Sequence, residues 1–220
     1  MAEVLERKEQ EDRLINGQVF VIDDDEAARE SIAALVEVMG VPVQTFSCAE
    51  DFLNSSSIFE PGCVVTDLRM LGMSGVELIR HLRARDVETP VILVSAYADI
   101  AIAVEAMTLG AFRVIEKPYR DQELWDCIVG AMRLAEQQVR DSTMRDSLNQ
   151  RLARLTESEL DVLRLLLKGM PNKQISRELD LSPRTVDLRR RSILDNMEFE
   201  NIVELAAVLG RYDVCLPEFS

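Results

Sequence analysis

Val19-Phe20-Val21-Ile22-Asp23-Asp24-Asp25-Glu26 sets a run of apolar residues directly in front of three consecutive carboxylates. A short run of this kind, rich in β-branched residues, suits a strand buried on both faces. Similar runs recur at 41–46, 63–66, 91–94 and 112–115. Helical patterns fall between and after them, at about 26–39, 49–54, 75–85, 99–109 and 121–140. Five such repeats predict a doubly wound, five-stranded parallel sheet with helices on both faces. The working crevice of such a sheet lies beyond the carboxyl ends of its strands. Asp23, Asp24 and Asp25 follow the first run, Asp67 the third, Ser95 the fourth and Lys117-Pro118 the fifth. Polar groups from four separate segments thus converge on one edge.

The chemistry of that edge follows from its residue types. Clustered carboxylates repel one another unless a cation joins them. An all-oxygen ligand set with open positions suits Mg²⁺, which keeps waters and binds phosphate oxygens beside a carboxylate or two. Asp67 can act as a nucleophile on a phosphoryl group. Mg²⁺ and Lys117 would neutralise the transferring oxygens, and the Ser95 hydroxyl would hold another. Taken singly, an Asp-Asp pair is usually a turn and a Ser after a strand is usually a helix cap. The joint placement of these residues is what carries the reading.

The remainder of the chain has a different periodicity. Residues 121–154 read as a long helix, with a polar, weakly periodic linker or frayed segment at 141–150. From Arg151 onward the pattern is helical and well punctuated. Thr156 and Glu159 form a capping box, and Gly169 stops that helix. Asn172 is placed to cap the next helix, and Ser182 a third with Pro183 in its first turn. Asn201 caps a fourth, ending at Gly210. Four short helices around a tight Asp180-Leu181 turn predict a small all-α helix-turn-helix domain over 151–220. The first 16 residues show no pattern and are expected to form a tail.

The net charge of −14 argues at first against a nucleic-acid partner. Its distribution reverses that argument. Residues 1–150 hold 14 basic against 27 acidic side chains, whereas 151–220 hold 11 against 12. Between Lys168 and Arg191 seven basic residues face only Glu178, Asp180 and Asp187. Local patches set the field, so this segment can meet phosphate. No apolar run is long enough to cross a membrane, and the acidic start lacks the features of a secretory signal. The expected compartment is the cytoplasm. Cys48, Cys63, Cys127 and Cys215 have no metal-site spacing and read as small apolar residues in a reducing environment.

Four motifs carry a resemblance: Val21–Glu26, Val64–Gly75, Val91–Ala96 and Ile115–Pro118. In this order they resemble a response-regulator receiver domain of flavodoxin-like fold, covering about 17–140. Leu155–Glu159, Asn172–Ser176 and Arg184–Asp187 resemble a LuxR-type helix-turn-helix. The combination is similar to two-component regulators of the FixJ and NarL type. The resemblance implies Asp67 as phosphoacceptor, with Ser95 and Lys117 beside it. It implies Mg²⁺ held by Asp23, Asp24, Asp67 and the backbone carbonyl of Arg69, with Asp24 the more direct of the acidic pair. It further implies a sensor histidine kinase as phosphodonor, double-stranded DNA as target, a homodimer when phosphorylated, and a cis Lys117-Pro118 bond. Two positions depart from the family. Leu71 replaces the proline usual in the loop after Asp67, and Val114 replaces the aromatic residue that swings inward on phosphorylation. A switch that is weaker, or takes another route, is the expectation.

In the DNA-binding half, Asp187, Leu188 and Arg191 share one face of the helix opened by Ser182. Matching positions of LuxR-type domains enter the major groove, where Arg191 would read a guanine or grip phosphate and Leu188 would touch a thymine methyl. Lys173, Arg184, Arg189 and Arg190 are expected on phosphates. Val186, Ile193 and Leu194 are expected in the core. Two other readings stay open: a DNA-binding regulator that ignores phosphorylation, and an aspartyl phosphatase. Arg69 speaks against the second, because such an enzyme wants a general acid at that position.

Overall fold

The computed structural model describes residues 17–96 and 100–216. The tail expected over 1–16 lies outside the described residues. The chain packs as two compact units, one up to Val139 and one from Arg140 onward.

The first unit is built on five strands, β1 (Gln18–Ile22), β2 (Val43–Phe46), β3 (Gly62–Asp67), β4 (Val91–Ser95) and β5 (Arg113–Glu116). All pairings are parallel, in the order β2-β1-β3-β4-β5. The helices are α1 (Glu26–Val38), α2 (Ala49–Asn54), α3 (Gly75–Arg83), α4 (Ile100–Thr108) and α5 (Asp121–Leu152), with a 3₁₀ turn at Ser56–Phe59. Side chains alternate across the sheet with the strand period of two. Phe20, Ile22, Val64, Val91 and Leu93 pack with Phe52, Leu78, Ile79, Leu82 and Ala106 of α2, α3 and α4. Val19, Val21, Cys63, Val65, Ile92, Val94 and Ile115 pack on the other face with Ile32, Val36, Leu124, Ile128 and Met132 of α1 and α5. Burial on both faces explains why the strands read as continuous apolar runs. Strand order reverses between β1 and β3, which puts the crevice at the carboxyl ends of those two strands.

The long helix expected over 121–154 is α5, which runs to Leu152 and takes in the 141–150 stretch expected as a linker or frayed segment. Leu148 and Leu152, one turn apart, are buried in the core of the second unit. Two leucines among polar residues left too thin a stripe to be seen as a core-facing helix. The second unit adds α6 (Glu157–Leu167), α7 (Asn172–Glu178), α8 (Pro183–Met197) and α9 (Ile202–Arg211). Val162, Leu163, Ile175, Val186, Ile193, Met197, Leu205 and Leu209 close its core, with Leu194 partly buried against it. Capping is largely as the sequence suggests: Thr156 and Glu159 form the reciprocal box, Ser182 accepts from Thr185 N–H, and Asn201 accepts from Glu204 N–H. Asn172 is the exception. It is the first residue of α7, Pro171 takes the cap position, and its side-chain amide donates to Asp187.

Candidate functional site: an acidic crevice and an exposed helix face

β1 ends at Ile22, so Asp23 leaves the strand still within the core, 2% exposed. Its Oδ1 accepts from the Asp25 amide at 2.9 Å, and its carbonyl accepts from the Arg29 guanidinium at 2.7 Å. Burial pushes its carboxyl above the ordinary range, against the pull of the Asp25 amide and the Lys117 charge. Asp25, by contrast, turns away to cap α1, accepting from the Ala27 and Ala28 amides. It is therefore a structural cap, and the acidic group consists of Asp23, Asp24 and Asp67.

Asp67 is the last residue of β3, and register places it beside Val94, one residue before Ser95. Its Oδ1 accepts from Lys117 Nζ at 2.8 Å and its Oδ2 from the Arg69 amide at 2.7 Å. The same ammonium lies 3.4 Å from Asp23 Oδ2. Burial alone would lower the Lys117 ammonium. The hydrogen bond to Asp67 and the charge of Asp23 outweigh it and hold the group above the ordinary lysine value. Lys117 owes its position to β5 and to its own amide, which donates to the Ser95 carbonyl at 2.7 Å. The Lys117-Pro118 bond is cis. Ser95, at the end of β4, is buried at the same edge. Asp23, Asp67, Ser95 and Lys117 thus come together as the topology requires.

Asp24 is exposed and behaves differently. Its Oδ2 accepts from the Leu71 amide at 3.0 Å, in the loop that follows Asp67. Among the described residues no group of three or more His, Cys, Asp and Glu side chains is gathered as a metal cage. The donor set nevertheless suits a hard cation: carboxylates of Asp23, Asp24 and Asp67, and the Arg69 carbonyl in the same loop.

Sequence reasoning missed two supports of this loop. Ser74 and Glu77 form a capping box at the start of α3, and Glu50 of α2 accepts from the Met73 amide at 3.0 Å. The Ser-x-x-Glu spacing was a legible signal for the first. Nothing local marks Glu50, because its partner lies 23 residues away. Of the departures noted above, Leu71 is 82% exposed, while Val114 is half-buried against the core formed with α2, α3 and α4.

In the second unit, α8 presents Arg184, Asp187, Leu188 and Arg191 to solvent, and Lys173 is exposed on α7. Leu188 is 57% exposed, notable for an apolar side chain on a helix whose Val186, Ile193 and Met197 are fully buried. Arg189 and Arg190 are partly covered. The Asp187 carboxylate is engaged by Asn172, which ties α7 to α8. The Ser192 hydroxyl donates to Glu159, tying α8 to α6.

Comparison with known proteins agrees with both halves. Residues 19–129 match the family described as response regulator receiver domain, and 153–209 match the luxR family of bacterial regulatory proteins. The chain is 36% identical over 195 residues to the transcriptional regulatory protein FixJ of Bradyrhizobium diazoefficiens, covering 89% of this chain and 95% of that one. It is 36% identical over 193 residues to the response regulator protein TodT of Pseudomonas putida, covering 88% and 85%. Among solved structures, the response regulator StyR matches with a TM-score of 0.76 at 35% identity, over 89% of this chain and 98% of that one. Full-length FixJ from B. japonicum matches with 0.55 at 35% identity, over 91% and 98%.

Proposed function

Because the chain belongs to the response regulators that join a receiver domain to a LuxR-type DNA-binding domain, we propose that Asp67 takes a phosphoryl group from a sensor histidine kinase and that this alters dimerisation or DNA binding. The observation that carries the assignment is the Lys117 ammonium bound to Asp67 and close to Asp23 at the carboxyl edge of the sheet. In the transfer, the phosphorus–nitrogen bond to the kinase histidine breaks as a carboxylate oxygen of Asp67 bonds to phosphorus. The product is an acyl phosphate. Asp23, Asp24, Asp67 and the Arg69 carbonyl would hold Mg²⁺, which supplies charge neutralisation on the phosphoryl oxygens. Lys117 is placed to move from Asp67 onto one such oxygen, and the Ser95 hydroxyl to donate to another. Arg69 is permanently protonated and cannot take a proton from an attacking water, so the acyl phosphate is lost slowly and the protein acts as a regulator without enzymatic turnover.

The DNA reading rests on the exposed α8 face. Arg191 and Leu188 are assigned to base edges, Asp187 to the same face, and Lys173, Arg184, Arg189 and Arg190 to phosphates. α9 sorts its apolar residues: Ile202, Leu205 and Leu209 are buried, while Val203 is 79% exposed and available to a second copy. The regulator is expected to work in the cytoplasm; no described helix is long and apolar enough to cross a membrane.

The test is incorporation of labelled phosphate from a small phosphodonor in the presence of Mg²⁺. Wild type should label and Asp67→Asn should not. Footprinting and sedimentation with and without beryllofluoride then read the output. An unchanged oligomeric state and DNA affinity would favour the reading in which DNA binding ignores phosphorylation, as Val114 invites.

A further inference from the structure

The loop after Asp67 is held in an unusual way. Its alternate amides, those of Arg69, Leu71 and Met73, each donate to a carboxylate, and the three carboxylates come from different segments. Arg69 N–H meets Asp67 Oδ2 at 2.7 Å, Leu71 N–H meets Asp24 Oδ2 at 3.0 Å, and Met73 N–H meets Glu50 Oε1 at 3.0 Å. Gly72 lies between the last two in left-handed backbone, φ 86°. A Cβ there would stand 2.9 Å from Glu50 Oε1, the movable end of a side chain, so the backbone angle is what favours glycine here. The Leu71 side chain is 82% exposed, so the residue's contribution at this place is its N–H. Proline, the residue usual in the family at this position, has no N–H to give.

We propose that the Leu71 amide is a latch that holds Asp24 out of the cation site, and that Mg²⁺ must take Asp24 from it. The proposal rests on Asp24 being a Mg²⁺ ligand, as assigned above. Two observations favour competition over pre-arrangement. Asp23, Asp24 and Asp67 do not close into a three-carboxylate group. The other two are already bridged by Lys117, which supplies an internal cation to the resting site. An amide bonded to a carboxylate gives a charge-assisted hydrogen bond, stronger than a neutral one. A ligand that displaces it binds more weakly by that amount. Glu50 has no part in the cation site, so its bond to Met73 keeps the loop anchored while the latch opens.

The experiment is a calorimetric Mg²⁺ titration of the full unphosphorylated chain and its variants. Leu71→Pro removes the donor and should bind Mg²⁺ roughly tenfold to a hundredfold more tightly. Leu71→Ala keeps the donor and should match wild type. Equal affinity in all three, or weaker binding in Leu71→Pro, overturns the latch. Asp24→Asn separates the two readings: if wild type shows no saturable binding that this variant loses, the cation assignment itself falls and the latch with it. A second measurement needs no variant. In wild type, amide hydrogen exchange at Leu71 should accelerate at saturating Mg²⁺ while Met73, held by Glu50, stays protected. Retained protection at Leu71 overturns the proposal even if Leu71→Pro does not fold.

Discussion

Gly75 shows how tightly single residues define the phosphoacceptor edge. A Cβ there would lie 2.6 Å from the Asp67 carbonyl oxygen and 2.5 Å from Leu93 Cδ2. The α3 N-terminus can therefore approach the end of β3 only without a side chain, and the Gly75 amide donates to Leu68 O at 3.1 Å. Gly75→Ala should lose about 1–3 kcal/mol in urea unfolding and slow phosphate uptake at Asp67; unchanged values for both would remove this role. Cys63 makes the opposite point about reactivity. Its thiol, on β3, sits in the core on the sheet face covered by α1 and α5, and burial pushes it up to about 12. Cys215 is exposed. Peptide mapping after iodoacetamide at neutral pH should find Cys215 modified and Cys63 untouched until the protein is unfolded. At this scale the sequence put Asp67, Ser95 and Lys117 at strand ends, where the structure also has them. It took Asn172 for a helix cap, because a short polar side chain has several local partners and only the fold selects one.

Elements were legible where local chemistry decides them. The Thr156–Glu159 box, the Ser182 cap with Pro183, and Gly169 at φ 77° all act within one helical turn. The 3₁₀ turn at Ser56–Phe59 carries no signal in the sequence, because four residues are too few to show a period. Glu159 links element to tertiary structure. Burial would raise its carboxyl, but hydrogen bonds from Ser192 and Thr156 outweigh that and hold it below the ordinary range. A lowered carboxyl favours the folded state at pH values above the ordinary glutamate value, and that contribution is lost as pH falls through the folded value. Glu159→Gln should accordingly destabilise the second unit more near neutral pH than in acid below the ordinary glutamate value. Equal losses at the two pH values, read by chemical unfolding, would falsify the assignment. The α5 helix was harder, since between Arg140 and Leu152 only its buried leucines report a core.

At the scale of the whole molecule, charge separates the halves more clearly than composition does. The strongly acidic total weakens any non-specific attraction to DNA. On the assignment proposed above, specific binding draws on the local basic face of α7 and α8. Arg191→Ala should cost about 1–3 kcal/mol for a specific site and relax sequence preference. Arg184→Ala should weaken all sequences alike and reduce the slope of log affinity against log salt by about 1. Mobility-shift titrations at several salt concentrations read both. If the two variants behave identically, the division into base-reading and phosphate-binding residues is wrong.

The sequence by itself determined the five-strand parallel sheet, the helix-turn-helix unit, and the four strand ends on which the polar residues meet. These depend on periodicity and capping, whose range is a few residues. Tertiary structure alone decided how those residues pair: Lys117 bound to Asp67 and within reach of Asp23, Asp24 tied to Leu71, Glu50 anchoring Met73, Asp187 engaged by Asn172. Such pairs join segments far apart in the chain, and a carboxylate accepts from whichever donor the fold brings within about 3 Å. In the sequence Leu71 reads only as the loss of a proline from the loop after Asp67. Its amide becomes meaningful only once folding sets it against Asp24.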